Sequence, residues 1–390
     1  MIADRMRRVE SSRLLELIVE GQRMRKEGAD FIDLGPGQPD FPVPEPILQA
    51  TARALREGHT YYSPPMGIPD LREAVAQRYN RRYGAKYGPA NAMVTAGAKG
   101  ALYHIIGAHM DEGGEVIVPA PYYVSTPEIV KLWGGTPRFL PCRMENGFQP
   151  DPDELRAMIS PATWGIVLNS PCNPTGAVLS RSLLSSILEI ADQNRLFVIM
   201  DECYDRYVYP GVEYATMPHF DPEARRSFFI AGSFSKTFSM TGYRMGYAIG
   251  PAEGIAAAGK IQSHSMNGPT TFAQFGALEA LRREEELFAP VLEQFTRRRQ
   301  AICDGLAQIP GLPFCQPQGA FYVFPDAREL MRKMGIERTD VLASTLLKQA
   351  GVMVIPGSAL GQEGFVRISF AVDEEKIREA VARIRKAAGA

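Results

Sequence analysis

The run Trp164-Gly-Ile-Val-Leu168 enters the polar turn Asn169-Ser-Pro-Cys-Asn-Pro-Thr-Gly176, and after a helical stretch over 180–194 the run Phe197-Val-Ile-Met200 enters Asp201-Glu-Cys-Tyr204. Both runs are continuously apolar rather than alternating, which is the pattern of strands buried on both faces. A helix of about a dozen residues between them is what a crossover to a parallel neighbour needs. Working outward, similar runs occur at 115–118, 228–231 and 245–249, with helical stretches at 47–57, 69–83, 100–110 and 269–281. The fold class that follows is α/β: a large domain with a mainly parallel sheet sandwiched by helices.

The flanks read differently. Residues 1–28 look like one helix ending at Gly28, followed by a short strand at 31–34 that Gly35-Pro-Gly-Gln-Pro39 breaks. Beyond 284 a long charged helix runs through 300. Strands then follow at 320–324, 352–355 and 365–370, with helices at 339–350 and 373–387. This is a smaller α+β domain, and the N-terminal segment is expected to pack with it. The expected division is 1–45, 46–284 and 285–390.

Composition excludes several classes. The chain has 390 residues, is 45% apolar and carries a formal net charge of −1, so no global field draws it to nucleic acid or anionic membrane. Cys142, Cys172, Cys203, Cys303 and Cys315 are scattered and form no C-x-x-C pair, which argues against a disulfide framework or a structural metal site and for a reducing compartment. The basic start, Arg5, Arg7 and Arg8, lacks the apolar centre of a signal peptide, and no run is long enough to span a bilayer. A cytoplasmic location is the expectation.

Ligands of open α/β sheets sit at the carboxyl ends of strands. There the sequence sets Asn173, Asp201, Tyr204 and, after 228–231, Gly232-Ser-Phe-Ser-Lys236; Met93-Val-Thr-Ala-Gly-Ala-Lys99 opens a helix. Taken singly, each is an ordinary cap, turn or surface lysine. Taken together they supply the parts that pyridoxal phosphate requires. Lys236 is a tether for its aldehyde. Asp201 is a carboxylate for the pyridine nitrogen, and Asn173 and Tyr204 are donors for the ring oxygen. Gly97, Ala98 and Lys99 offer backbone N–H groups at a helix start, to which Ser233, Ser235 and Arg244 add hydroxyls and a positive fork for the phosphate. Tyr123 offers a flat face for the ring.

These residues resemble the class I/II aminotransferases of the aspartate aminotransferase superfamily, fold type I pyridoxal-phosphate enzymes. The resemblance rests on Asn169–Gly176, Asp201–Tyr204 and Ser233-Phe-Ser-Lys-Thr-Phe-Ser-Met-Thr-Gly-Tyr-Arg-Met-Gly246. It is joined by Gly35-Pro-Gly-Gln-Pro, Tyr61-Tyr-Ser-Pro-Pro-Met-Gly67, Gly319-Ala-Phe-Tyr-Val-Phe324 and Val366-Arg-Ile-Ser-Phe370, so it covers nearly the whole chain. It implies that Lys236 forms the Schiff base with the cofactor and shuttles the proton, with Asp201 and Tyr204 as catalytic partners. It implies that Arg367 grips the substrate α-carboxylate with help from Asn173 and the backbone of Gly37. It also implies a homodimer with shared active sites, in which Tyr62 reaches the partner's phosphate. The implied reaction is ping-pong transfer of an amino group between an L-amino acid and a 2-oxo acid; a β-lyase or cyclase on the same cofactor is the alternative. Two positions depart from the family: Tyr123 stands where Trp is frequent, and Cys172 where Asn is common, the latter expected to be a small filler. Arg13 and His264 are conceivable readers of the substrate side chain, with a solvated helix arginine and an ordinary interface histidine the plainer expectations; Gln262, which like His264 precedes Asn267-Gly-Pro, carries no expected role.

Overall fold

The computed structural model describes residues 2–10, 21, 23, 26–220 and 227–389. Its twelve described strands, in chain order, are β1 Ile32–Asp33, β2 Ala92–Thr95, β3 Glu115–Ala120, β4 Thr136–Pro141, β5 Thr163–Asn169, β6 Phe197–Asp201, β7 Phe228–Ser233, β8 Gly246–Ile249, β9 Tyr322–Val323, β10 Val352–Met353, β11 Ile355–Pro356 and β12 Val366–Ser369. Seven of them form the central sheet in the order β2-β8-β7-β6-β5-β3-β4. All neighbours are parallel except β8, which runs antiparallel to both β7 and β2. β6 and β7 are buried at every position, as their unbroken apolar character requires. One apolar core lies on each face of the sheet. On one side Val94, Ile166, Leu168, Val198, Met200 and Ile230 meet the Pro69–Tyr83, Arg181–Gln193 and Thr271–Arg282 helices. On the other, Val116, Val118, Val167, Ile199 and Phe229 meet the Gly97–His109 and Ala252–Ser265 helices.

A second core gathers Ile32 and Leu34 with Phe288, Phe295, Ile302, Phe321, Val323, Ile368 and Ile377. β1 pairs parallel with β10, and a three-stranded sheet runs β11-β12-β9. The 23-residue Glu284–Leu306 helix belongs to both regions: Glu284 reaches into the charged cluster behind the sheet, while Phe288, Phe295 and Ile302 line the second core. Arg298 on this helix donates to both oxygens of Asp40, at 2.7 and 2.9 Å, tying it to the chain ahead of the sheet.

Several expectations need correction. The single helix over 1–28 is interrupted: Arg5–Arg8 is one exposed turn with no buried face, and Val9 is already extended. Most of the rest of that stretch, including Arg13, lies outside the described residues. The strand expected over 352–355 splits between two sheets, because Val352 and Met353 pair with β1 whereas Ile355 faces Arg367 of β12. The helix expected over 339–350 is α-helical only to Thr345, and its last turn widens to π geometry before Gly351. β2 and β4 were not anticipated; β4 carries prolines at 137 and 141 and is tolerated as the sheet's edge. Among the described residues no helix is long and apolar enough to cross a membrane.

A charged cluster lies buried behind the sheet. Arg78 donates to Asp205 at 2.5 Å, to Glu284 at 2.6 Å and to the Tyr247 hydroxyl at 3.1 Å. Burial alone would raise the Glu284 carboxyl, but the Arg78 guanidinium overrides it and holds it at about 2. Removing the cation would strand the buried Asp205 carboxylate and leave Glu284 to Arg206 and Arg82 alone, at 3.1 and 3.9 Å, so Arg78→Leu is expected to destabilise the protein by about 3–5 kcal/mol in urea unfolding. A loss below about 1 kcal/mol would show that the cluster is bypassed by solvent.

Candidate active site

The carboxyl ends of β2, β5, β6 and β7 converge on one edge of the sheet, and antiparallel β8 begins there. Beyond this edge lies a cavity of about 310 Å³. It is lined by Gly37, Gly97, Ala98, Lys99, Tyr123, Asn169, Asn173, Asp201, Cys203, Tyr204, Ser233, Ser235, Lys236, Arg244, Tyr322 and Arg367.

At its base β6 ends in Asp201, which is 4% exposed and accepts the Cys203 N–H at 3.1 Å. Burial raises its pKa, against hydrogen bonds from Cys203 and the field of Lys236. Lys236 follows β7. Burial lowers its pKa, and Arg367 and Arg244 push the same way. Its Nζ donates to the Gly37 carbonyl at 2.7 Å. A buried lysine held near cations is one whose free amine is accessible closer to neutral pH.

Arg367, on β12, is 2% exposed. Its Nη1 donates to Asn173 Oδ1 at 2.9 Å, its Nη2 to the Gly35 carbonyl at 2.6 Å, and its guanidinium lies 4.6 Å from the Tyr322 ring centroid. Its Nε is buried without a partner, a donor awaiting an acceptor. Tyr204 and Tyr322 share a hydrogen bond of 2.6 Å between hydroxyls, and burial together with Tyr322 raises the Tyr204 pKa, so Tyr204 stays a neutral donor.

The anion cradle is steric as well as electrostatic. Gly97, at φ +75°, opens the Gly97–His109 helix, and a Cβ there would stand 2.9 Å from Arg244 Nη2. A Cβ on Gly246 would meet the Gly97 carbonyl carbon at 2.3 Å. Both positions therefore need glycine for helix start, strand start and guanidinium to crowd together. The Ser233 hydroxyl accepts the Ser235 N–H at 3.0 Å, which fixes the turn leading to Lys236. Backbone N–H groups, two hydroxyls and a guanidinium at one helix N-terminus suit a phosphate.

Residues 29–384 match the family of class I and II aminotransferases. The chain belongs to that family. It is 40% identical to a probable aspartate/prephenate aminotransferase of Aquifex aeolicus, covering 99% of this chain and 98% of that one. It is 38% identical to the aspartate aminotransferase of Geobacillus stearothermophilus, with the same coverage. The aspartate aminotransferase of Thermus thermophilus, solved with maleate, superposes with a TM-score of 0.93 at 36% identity over 99% of each chain. The Rhizobium meliloti aspartate aminotransferase gives 0.94 at 34% identity over 100% of this chain and 99% of that one. The α/β expectation and the aminotransferase expectation both hold.

In this aminotransferase every expected site residue except Tyr62 lines the cavity. Tyr62 stands outside it and is 90% exposed, as is its neighbour Tyr61 at 83%. Three lining residues were not among the candidates. Asn169 orders the loop: its Oδ1 accepts the Asn173 N–H at 2.7 Å while its Nδ2 donates to the Asp201 carbonyl at 3.0 Å. Cys203 and Tyr322 are the others; Tyr322 comes from β9 of the second sheet, where a rule about central strand ends does not look. Gln262 is fully buried and donates to the Pro65 and Val94 carbonyls at 2.5 and 2.8 Å, a structural role rather than contact with a substrate. His264 is exposed and outside the cavity. Burial raises the Cys172 thiol, keeping it protonated in its tight loop.

The loop after Asp201 turns two acids away from the cavity. Asp205 meets Arg78, and Glu202 accepts from the Tyr79 hydroxyl at 3.0 Å and from Thr216 Oγ1. Burial, with the nearby Asp205, pushes Glu202 up to about 8. An unfolded glutamate titrates near 4.3, so between about 4.3 and 8 the folded protein retains a proton that the unfolded chain has lost. Stability from this group is full below the lower value and falls as pH rises through the upper, by at most about 1.4 kcal/mol per pH unit. Glu202→Gln keeps an acceptor for Tyr79 and does not titrate. Urea midpoints measured from pH 5 to 9 are expected to decline with pH more steeply in the wild type than in this variant; parallel curves would exclude the effect.

Proposed function

We propose that the cavity holds pyridoxal 5′-phosphate and that the enzyme transfers the amino group of an acidic L-amino acid, aspartate first among them, to a 2-oxo acid. One observation carries this: a buried lysine with a lowered pKa shares a single cavity with a buried carboxylate and a buried guanidinium that has a free donor. The residues fit the cofactor group by group. Lys236 would hold the aldehyde and Asp201 the ring nitrogen, whose positive charge offsets the burial that otherwise raises the carboxyl. Asn173, its Oδ1 already accepting from Arg367, keeps its amide donors for the ring oxygen beside Tyr204. Gly97, Ala98, Lys99, Ser233, Ser235 and Arg244 would cradle the phosphate, and Tyr123 would cover a ring face.

When bound, the cofactor supplies a sink for the electron pair left on the substrate Cα. The protein's own groups do the rest. Arg367 would clamp the α-carboxylate with Nε and a second donor, which orients the Cα–H. Lys236, as a free amine, would remove that proton and return it elsewhere. Buried Asp201 would keep the ring nitrogen charged.

For the side chain of the substrate, the Lys99 ammonium lies 5.8 Å from the Tyr123 ring centroid in the same cavity, with no carboxylate paired to it among the described residues. It suits a second carboxylate, in keeping with relatives named aspartate aminotransferases. The exposed Tyr61–Tyr62 pair suits a second copy of the chain, with Tyr62 completing the neighbouring site. We also propose that 1–45 and 285–390 form one small domain around the second core and that 46–284 form the large domain.

A panel of amino-acid donors and 2-oxo-acid acceptors, followed by absorbance of the bound cofactor, tests this reading. Lys236→Ala is expected to lower turnover by about 10³-fold or more; retention of activity would reject the assignment. Arg367→Ala should raise KM for every amino acid by about 10- to 100-fold, the worth of a lost charged hydrogen bond. Lys99→Ala should raise KM for aspartate but leave that for alanine within about twofold. An equal effect on both would remove Lys99 from side-chain recognition.

A further inference from the structure

Lys236 follows β7, and it is held from the loop after β6 and from the segment ahead of the sheet. The Tyr207 hydroxyl donates to the Lys236 backbone carbonyl at 2.8 Å. Tyr207 is fully buried in the second core. Its ring is packed edge-on against Phe288, Phe295 and Phe321, with centroids 4.9, 5.0 and 5.2 Å away and interplanar angles of 83°, 89° and 81°. Three perpendicular rings leave the phenol no alternative direction. Its backbone is fixed as well: its carbonyl accepts the Ala320 N–H at 2.9 Å, and its own N–H donates to the Tyr204 carbonyl at 2.8 Å. At the far end of the side chain, Lys236 Nζ meets the Gly37 carbonyl at 2.7 Å. The chain leading to Gly37 is anchored to β12, where the Leu34 carbonyl accepts the Ser369 N–H at 2.8 Å. The lysine is thus gripped at its carbonyl by a ring of the second core and at its side-chain nitrogen by a segment hydrogen-bonded to β12.

We infer that Tyr207 is a positioning residue for Lys236, its hydroxyl fixing the peptide from which the proton-carrying side chain departs. This rests on the function proposed above. An amine on a four-carbon stem must reach both the aldehyde it holds and the proton it moves. When Lys236 lets go of the cofactor, the Gly37 carbonyl can receive its ammonium, and the carbonyl grip keeps the stem's origin still. Tyr207 does not line the cavity; it acts through the lysine backbone. Loosening that peptide degrades the alignment of the amine without altering the carboxylate clamp, so the effect falls on turnover rather than on binding.

Tyr207→Phe removes the hydroxyl and retains the ring. The expected result is a kcat lowered about tenfold with KM for the amino acid within about twofold. The pH midpoint of the absorbance of the bound cofactor should move, because the lysine nitrogen it reports sits in a changed position. Cofactor-free protein should also take up pyridoxal phosphate several-fold more slowly, a reading independent of turnover. Tyr207→Leu, which removes the ring too, should add a fall in melting temperature. Wild-type values of kcat, absorbance midpoint and uptake rate in Tyr207→Phe would overturn the inference, as would a loss confined to Tyr207→Leu, which would make Tyr207 a packing residue. Those outcomes leave the proposed function standing so long as Lys236→Ala is inactive; a wild-type protein that takes up no pyridoxal phosphate would overturn both.

Discussion

A strand covered by helices on both faces has no room along its length for groups that need water, charge or a ligand. Such groups can stand only where the strand stops. In this aminotransferase that constraint organises the molecule. β5 stops at Asn169, β6 at Asp201 and β7 at Ser233, and the three ends stand side by side because the strands are parallel neighbours in register. β8, inserted antiparallel between β7 and β2, brings the start of its own strand to the same edge and sets Gly246 against the Gly97 helix start. The cavity is the space these ends leave, closed from above by residues of the second core.

The same constraint governs the electrostatics. Burial raises Asp201 and lowers Lys236, so each is pushed toward its neutral form in the absence of a charged companion. Arg367 brings a fixed cation and one unsatisfied donor. The cavity thus presents a carboxylate, an amine and a guanidinium to one ligand. The acids that do not serve the cavity, Glu202 and Asp205, are turned to the opposite side and held by Tyr79, Thr216 and Arg78. One short loop therefore faces two separate polar clusters.

What could be read from the residues alone follows from range. Asp201, Tyr204, Lys236 and the Asn169–Gly176 turn were legible because each directly follows an apolar run, and position after a strand is a local property. Arg367 was legible only through its resemblance to family motifs. Tyr322 was quoted within a motif without a role, because its task depends on a hydroxyl 118 residues away in sequence. The Arg78 cluster was invisible for the same reason: its partners lie 127 and 206 residues on, and nothing in the Pro69–Tyr83 helix marks one of its arginines as buried. β4 was missed because its prolines argue against a strand unless it is known to lie at the edge. The break at Val9 was missed because a basic, polar stretch offers no apolar period by which to judge continuity.

The Glu284–Leu306 helix has a mechanical consequence. At 1.5 Å per residue its 23 residues make a rod of about 34 Å. Its first residue is clamped to Arg78 behind the sheet, while the rest of it builds the second core. A rod pinned at one end turns displacement into a gradient. A swing of about 5° at Glu284 carries Leu306 by about 3 Å, yet moves Phe288, one turn along, by only about 0.5 Å on the same rise per residue. Phe288 is one of the rings that hold Tyr207. Phe295, another of those rings and eleven residues along, would move by about 1.4 Å on the same rise, so the clamp at Glu284 limits how far the cage around Tyr207 can shift.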